Sequence, residues 1–529
     1  MKKDKKGKKD LFVELKIWST VRANEIAISS IENTDKKTIF TYEELYKKIQ
    51  SLSVGLLQYN LKEKPAVLLY EQHEHFIGAF LACLNSNILA IPLQINATHN
   101  QVQALQLLLK SSGADVVLTT HHIVLKNPDI LDMNITVILT DKIKDISIEN
   151  QYPFFHGEND VAYLQYSSGS TSSPKGCMIT YKNLNTTLYR NGQCWEYDNK
   201  SKTLTWAPFS HAYGLVCALL LPLYMGTEVV IFPVKKLIED PMSWLLALSK
   251  YAITHSGGPN FCYDLCIEKY AYKLSKELDL SHWKFAINAG DIVREKTTTQ
   301  FIALYGKRGF NPSAFFVGYG MSELSGLISG KTYIEGASFI SLGDVLENNK
   351  VYNGNGLFNL EKAANCGKLF PEMSLRIINP DTKVELESHV LGEICLSGES
   401  LFMGYWRMDN SAFFVSLDSV NYFRTGDLGC LIHNEIYLVG RVKDCILING
   451  KIYSPKDIED AIAKSLLELN LVEQCATIVF SVIDTEQEKL IIIQEVNSSA
   501  KKISFLVKAI RSCASLLFGI EPFEIVFPF

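Results

Sequence analysis

Short runs of Val, Ile and Leu alternate with longer amphipathic stretches along the first half of the chain. Ala66–Tyr70, Ile88–Leu93, Asp115–Thr119 and Ile135–Leu139 read as buried strands, with His75–Asn85 and Gln101–Ser112 as helices between them. That alternation predicts βαβ units and a largely parallel sheet. The pattern restarts after Pro153 with a strand at Val161–Tyr166, a Ser/Gly-rich turn, a strand at Cys177–Tyr181 and a helix from Lys182. Further strands are predicted at Thr203–Trp206, Glu228–Phe232, Ala252–His255, Phe285–Ala289 and Ala314–Val317. From about Gly326 the texture changes to short alternating strands with Gly, Asn and Asp turns, including Leu375–Ile378, Glu393–Ser397 and Glu435–Val439. Beyond Gly440, the segments Cys445–Asn449, Ser454–Leu469, Ala476–Val482, Leu490–Val496, Lys502–Leu517 and Phe523–Phe527 predict strand, helix, strand, strand, helix, strand. The expected fold class is α/β. A large N-terminal body of α/β subdomains with a β-rich subdomain spans residues 11–440, a small α+β C-terminal domain spans 441–529, and residues 1–10 form a basic disordered tail.

Composition narrows the function classes. At 529 residues the chain is too long for one core, given about 100–200 residues per domain. Its 47% hydrophobic content supplies a generous interior, and a net charge of −5 offers no basic field for phosphate neutralisation, so nucleic acid is set aside. The opening MKKDKKGKKD has no apolar stretch behind it of the kind a signal peptide needs, and cytoplasmic residence is expected. The longest apolar run, Leu215–Leu223, falls well short of the ~20 residues that span a bilayer, so stable membrane insertion is not expected. Twelve cysteines lie scattered without a CxxC pair; Cys262 and Cys266 fall in a predicted buried helix and read as reduced core thiols.

The strongest local feature is SSGSTSSPKG, Ser167–Gly176, between two predicted strands. Gly169 and Gly176 let backbone approach a ligand, the hydroxyls of Ser168, Ser170 and Thr171 can donate to phosphate oxygens, and Lys175 adds positive charge. A mobile hairpin tip would have the same composition, and taken alone the segment leaves both readings open. It is not GxxxxGK[ST], and a strand rather than a helix follows it.

Three further segments decide between them. LQYSSGSTSSPKGCMITYKNL at Leu164–Leu184, VGYGMSE at Val317–Glu323, FRTGDLG at Phe423–Gly429 and GRVKDCILINGKIYSPKDIE at Gly440–Glu459 follow one another in the order found in the acyl-adenylate-forming superfamily. The chain resembles that superfamily over nearly its whole length. WAPFSHAYGL at Trp206–Leu215, THSGGPNFCYDLC at Thr254–Cys266, LDLSHWKFAINAGD at Leu278–Asp291 and NCGKLFP at Asn365–Pro371 are similar to its fatty acyl-AMP ligases, and Leu327–Ala364 has the length of the insertion typical of that branch.

The resemblance implies ATP and Mg²⁺ as cofactors, and a fatty acid and an acyl carrier protein, or the carrier domain of a polyketide or nonribosomal synthase, as partners. It implies that Tyr319 offers its face to adenine, that Gly320, Met321 and Ser322 also bind the nucleotide, and that Glu323 supplies an oxygen to Mg²⁺. Ala289, Gly290 and Asp291 would frame the adenine, with Asp291 where family members usually have Glu. Asp427 would accept from the ribose hydroxyls, and Arg441 would reach ribose or phosphate. His211 would stand near the reacting carboxylate, with Ala212 where Asp is common. Leu215, Val216, Phe261 and Tyr263 are candidates for an acyl tunnel or for ordinary core. Asp444 would be the hinge about which a mobile small domain rotates between half-reactions. The implied catalytic set is His211, Glu323 and Lys175.

The family's terminal PxTxSGK loop would begin where this sequence reaches Phe529, so the C-terminal domain is expected to be truncated and activity weakened, because one preorganised donor is commonly worth about 10²–10³ in rate. The expected function is ATP-dependent activation of a fatty acid to acyl-AMP for transfer to a carrier-protein thiol. An acyl-CoA synthetase and a catalytically impaired nucleotide-binding homologue are the alternatives.

Overall fold

In the computed structural model, which describes residues 10–32, 35–94, 101–144, 156–167, 174–270, 277–334, 338–341, 362–443, 446–448, 451–453, 455–469, 476–484, 487–496 and 503–528, the apolar runs of the first half form two sheets. One orders Thr136–Leu139, Val116–Thr119, Pro65–Tyr70, Leu89–Gln94, Val161–Ser167 and Lys175–Thr180 side by side, parallel except for the last pair. The other includes Gly326–Thr332, Phe315–Met321, Phe285–Asn288, His255–Gly258, Lys202–Thr205, Glu228–Ile231, Ile26–Glu32 and Asp35–Thr41 in that order. Pairing there is parallel from Phe315–Met321 through to Ile26–Glu32. Parallel strands are covered on both faces, which is why they stand out in the sequence as unbroken apolar runs.

Most predicted strands are present within a residue or two. The run expected at Ala252–His255 starts instead at His255 and continues to Gly258. Ala252 takes a φ of +49°, a turn conformation that cannot extend a strand, and Gly257 lies so close to its neighbour that a Cβ would sit 2.1 Å from the Ile287 carbonyl oxygen.

The chain divides into two units that interleave in sequence. The first takes Met1–Ile334, Lys368–Ser374 and Ser397–Phe414; the second takes Glu335–Gly367, Leu375–Leu396 and Val415–Phe529. In the first unit Tyr263 is the hub of an aromatic core, its ring 5.0 Å from Phe315, 5.3 Å from Phe301 and 6.0 Å from Trp244. Cys262 and Cys266 lie on the helix Asn260–Tyr270 and are fully buried, as their spacing predicts, and burial pushes both thiols well above the usual range. Asp10 caps the helix Leu11–Val21, accepting from Phe12 N at 2.8 Å and from Asn185 Nδ2 at 2.9 Å. Residues 1–9 of the expected tail lie outside the described residues.

A capping box opens the helix Tyr181–Cys194: Asn183 N donates to Thr180 Oγ1 at 3.1 Å, and Thr180 N to Asn183 Oδ1 at 2.9 Å. The same Asn183 donates through Nδ2 to the carbonyls of Glu399 and Leu401, both at 2.8 Å, which fastens the returning segment Ser397–Phe414 to this helix.

In the second unit Gly392–Gly398, Val420–Ile432 and Glu435–Arg441 pair antiparallel, and Met373–Ile378 pairs with Glu385–Leu386. Towards the C-terminus come a hairpin of Ile446–Ile448 and Lys451–Tyr453, the helices Pro455–Glu468 and Ile503–Cys513, and the sheet Thr477–Asp484, Gln487–Gln494, Glu524–Val526. Ile458, Ile462, Leu490, Ile492, Leu506 and Ile510 form its core. The last helix, expected to run to Leu517, is α-helical to Cys513 and then widens into a π-turn, Ala514–Phe518, ended by Gly519 at φ +67°. The expected insertion between Leu327 and Ala364 falls largely on residues 335–337 and 342–361, outside the described residues.

Candidate active site

Four of the motif segments in the first unit leave the carboxyl ends of adjacent parallel strands. Trp206–His211 follows Lys202–Thr205, Pro259–Asn260 follows His255–Gly258, Ala289–Asp291 follows Phe285–Asn288, and Tyr319–Glu323 closes Phe315–Met321 and enters the next turn. In open α/β sheets this edge is where ligands bind, because loops there can converge while the strands hold them in register.

The individual residues follow from that edge. Tyr319 is 4% exposed and opposite Ser329. Gly320 is required by packing, since a Cβ there would lie 2.0 Å from the Gly326 carbonyl oxygen. Met321 and Ser322 lead into the 3-10 turn Ser322–Leu324 that carries Glu323. Ala289 is buried and donates to the Gly258 carbonyl at 3.4 Å. Gly290 has φ +86° with nothing within 4 Å of a would-be Cβ, and exposed Asp291 accepts from Ile292 N at 2.7 Å. His211 is exposed and starts a π-helix, Tyr213–Leu220, its carbonyl accepting from Leu215 N at 2.9 Å. Gln165 Nε2 donates to the Ser210 carbonyl, tying the His211 turn to the strand that leads into the Ser/Gly-rich loop.

That loop is carried by a hairpin, Val161–Ser167 against Lys175–Thr180, in which Ser167 pairs with Lys175 and Tyr166 with Gly176. Lys175 and Gly176, expected in the loop, are therefore the first residues of the second strand, and Tyr181, expected at its end, begins the helix. Met403–Trp406 runs along the other side of the second strand: Met403 N donates to Met178 O at 2.9 Å, Met178 N to Gly404 O at 2.9 Å, and Trp406 N to Gly176 O at 2.8 Å. Ser168, Gly169, Ser170 and Thr171 lie outside the described residues, as does Asp444.

Lys175 Nζ sits 4.3 Å from the ring centroid of Phe413 and 5.2 Å from that of Tyr405. The Tyr405 hydroxyl donates to Glu323 Oε1 at 2.7 Å. Cys177, fully buried, has its thiol pushed well above the usual range by burial, with Glu323 adding to the rise and Lys175 opposing it. It stays neutral and does not compete with the carboxylate for a hard cation.

In the second unit Asp427 and Arg441 stand opposite each other on paired strands, with Arg441 Nε 3.0 Å from Asp427 Oδ1. Gly426 turns the chain at φ +72°, with open space around a would-be Cβ. Thr425 Oγ1 accepts from Asp427 N at 3.0 Å and donates to Ile394 O at 2.7 Å. Glu393 holds Gly426 N through Oε1 and Arg424 through Oε2, so Asp427 is presented from a fully pinned turn.

Residues 16–406 match the family described as AMP-binding enzyme. The chain belongs to that family. It is 32% identical over 527 residues to JamA of Moorena producens, a medium-chain-fatty-acid–[acyl-carrier-protein] ligase, covering 94% of this chain and 88% of the relative. TtuA of Teredinibacter turnerae, with the same described activity, is 27% identical over 455 residues, 75% of this chain and 71% of the relative. The crystal structure of the fatty acyl-adenylate ligase from Legionella pneumophila with acyl adenylate and pyrophosphate superposes with a TM-score of 0.76 at 27% identity, over 98% of this chain and 92% of that one.

The donor set of this AMP-binding enzyme fits a nucleotide with Mg²⁺. Glu323 offers hard carboxylate oxygens, and among the described residues no group of three or more His, Cys, Asp or Glu gathers around it. Mg²⁺ is commonly held by one or two carboxylates plus substrate phosphates, so a single carboxylate is a set that such a cation can take. Gly290 and Gly426 give open backbone where a ligand can approach. Tyr405 and Phe413 carry no sequence signal; MGYWRMDN at Met403–Asn410 has no charge cluster or glycine run to flag it. Leu215, Val216 and Tyr263 are all fully buried, whereas Phe261 is 44% exposed and packs edge-on against Trp206.

Proposed function

We propose that this enzyme activates a fatty acid with ATP to acyl-AMP, releases pyrophosphate, and passes the acyl group to the phosphopantetheine thiol of an acyl carrier protein. The observation that carries the reading is the convergence of Trp206–His211, Ala289–Asp291 and Tyr319–Glu323 at the carboxyl ends of adjacent strands; similarity to carrier-protein ligases over nearly the whole chain supports it.

A carboxylate oxygen attacks the α-phosphorus and the α–β phosphoanhydride bond breaks, pyrophosphate taking the electron pair. The carrier thiol then attacks the acyl carbonyl, giving up its proton as AMP leaves. No nucleophile on the protein is needed, so its contribution is positioning and electrostatics. Backbone and hydroxyls of Ser167, Ser168, Gly169, Ser170, Thr171 and Gly176 cradle the phosphates, with Lys175 offsetting their charge. Tyr319 and Ala289–Asp291 hold the adenine, while Asp427 and Arg441 hold the ribose. His211 lies on the carboxylate side, and Asp444 is the hinge. Mg²⁺, held by Glu323, supplies charge neutralisation of the triphosphate. Cytoplasmic action fits the free thiols of the described cysteines; among the described residues no helix is long and apolar enough to cross a membrane.

Fatty-acid-dependent exchange of labelled pyrophosphate into ATP tests the first half-reaction, and its absence rejects the proposal. Offering carrier protein and CoA in parallel tests the second; acyl-CoA as the sole product replaces the carrier reading with that of an acyl-CoA synthetase.

A further inference from the structure

Two groups of opposite charge in the first unit, both assigned above to Mg²⁺ and triphosphate, meet on one side chain. Tyr405 is 5% exposed, its hydroxyl donates to Glu323 Oε1 at 2.7 Å, and its ring lies 5.2 Å from Lys175 Nζ. The hydroxyl has one proton, and giving it to a carboxylate makes a charge-assisted bond of the stronger kind. The ring's negative face meets the ammonium, which Phe413 approaches at 4.3 Å from another side.

The tyrosine is itself held firmly. Phe402 and Phe413 pack edge-on against it at 4.9 and 4.7 Å. Asn410 Oδ1 accepts from Tyr405 N at 2.7 Å, and Asn410 Nδ2 donates to Tyr405 O at 3.1 Å. Phe402 N donates to the Glu323 carbonyl at 2.8 Å, so the short segment carrying Tyr405 fixes the backbone of the Glu323 turn as well as its carboxylate. Among the described residues, Oε1 is the engaged oxygen, and Oε2 keeps its lone pairs for a cation.

We propose that Tyr405 is a positioning residue, setting Glu323 for Mg²⁺ through its hydroxyl and Lys175 for phosphate through its ring. This rests on the nucleotide reading above. The two functions separate chemically, because Tyr405→Phe removes the hydroxyl and keeps the ring, while Tyr405→Leu removes both.

The test is calorimetric titration of ATP into the full chain without fatty acid, over a range of Mg²⁺ concentrations and in EDTA. Tyr405→Phe is expected to raise the Mg²⁺ concentration at half-effect about 10–100-fold, the range for a hydrogen bond to a charged group, while ATP affinity in EDTA stays within about 2-fold of wild type. Tyr405→Leu is expected also to weaken ATP in EDTA about 3–10-fold, as the ring's hold on Lys175 is lost. A general loosening of the fold would lower affinity equally with and without Mg²⁺, and that result overturns the proposal. So does an unchanged Mg²⁺ midpoint in Tyr405→Phe. Glu323→Gln offers a second route: adding Tyr405→Phe to it should move the midpoint by less than about 2-fold, because the hydroxyl acts through Glu323, and an additive further rise overturns the proposal. A wild-type chain that binds no ATP in either condition rejects the nucleotide reading itself, and the role of Tyr405 with it.

Discussion

Arg441 Nε lies 3.0 Å from Asp427 Oδ1, with the Asp427 side chain 10% exposed and that of Arg441 56% exposed. An ion pair with one partner half in water contributes about 0–1 kcal/mol to stability. A carboxylate that accepts from ribose hydroxyls is worth more, about 1.5–3 kcal/mol per charged hydrogen bond. Asp427→Ala is therefore expected to weaken ATP binding about 10–100-fold while Tm falls by no more than about 3 °C. Titration calorimetry beside a thermal melt distinguishes this from a purely structural pair, which would show the reverse.

Gly176 admits no side chain without displacement of Tyr166, because a Cβ would lie 2.7 Å from Cε2 and Cζ of that ring. Tyr166 packs against the buried cluster that includes Leu69, Leu105 and Leu164, so the ring does not swing aside freely. Gly176→Ala is expected to cost about 1–3 kcal/mol, the usual range for overpacking. Urea denaturation of Gly176→Ala, Tyr166→Leu and the double variant should give a double-variant cost below the sum of the singles. Strict additivity would mean the ring is not what the new methyl meets.

Tyr263 donates to the Ile287 carbonyl at 2.8 Å from the centre of the aromatic core. Tyr263→Phe is expected to lower stability by about 0.5–1.5 kcal/mol through loss of this buried hydrogen bond, with the acyl-chain-length profile unchanged. Phe261→Ala, at a half-exposed position, is expected to change stability by about 0.5 kcal/mol or less. A shifted chain-length profile in Tyr263→Phe, with no change in the melt, would instead put the tyrosine on the acyl path.

His255 is buried between the rings of Tyr197 and Phe285, at centroid distances of 4.1 and 5.0 Å, with Nε2 2.8 Å from the Trp195 carbonyl. Burial pushes its pKa down to about 4 from an ordinary value of 6.5. The unfolded chain takes up a proton that the folded one refuses between these values. Stability from this group is therefore complete above pH 6.5 and is lost as pH falls towards 4, amounting to about 3 kcal/mol at most. His255→Gln should flatten that part of the stability profile; an unaltered slope between pH 6.5 and 4 in the variant would assign the dependence to other groups.

The parallel strands were legible because each is a continuous apolar run, and with them the strand-end position of Tyr319–Glu323 and Ala289–Asp291. The start of the strand at His255 was not, since nothing in the residue Ala252 announces a positive φ. Lys175 read as a loop cation because SSPKG has the composition of a turn, and nothing in it announces the pairing of Lys175 with Ser167. Tyr405 was invisible for another reason: its partner Glu323 is 82 residues away, and an aromatic residue between two other aromatic-rich stretches reads as packing. Local pattern specifies elements; partners that meet across long sequence separations come from the tertiary fold.

The interleaving of the two units has a consequence for the nascent chain. The Glu323 turn leaves the ribosome 82 residues before Tyr405, which at about 5–20 residues per second is roughly 4–16 s. During that interval the hairpin strands Val161–Ser167 and Lys175–Thr180 and the Glu323 turn exist without the segment that joins them. The first 334 residues, released alone, would lack Tyr405, Phe413 and the carbonyls that Asn183 grips. All segments of the first unit are present only once the chain has reached Phe414, so the unit is not the product of its own opening stretch.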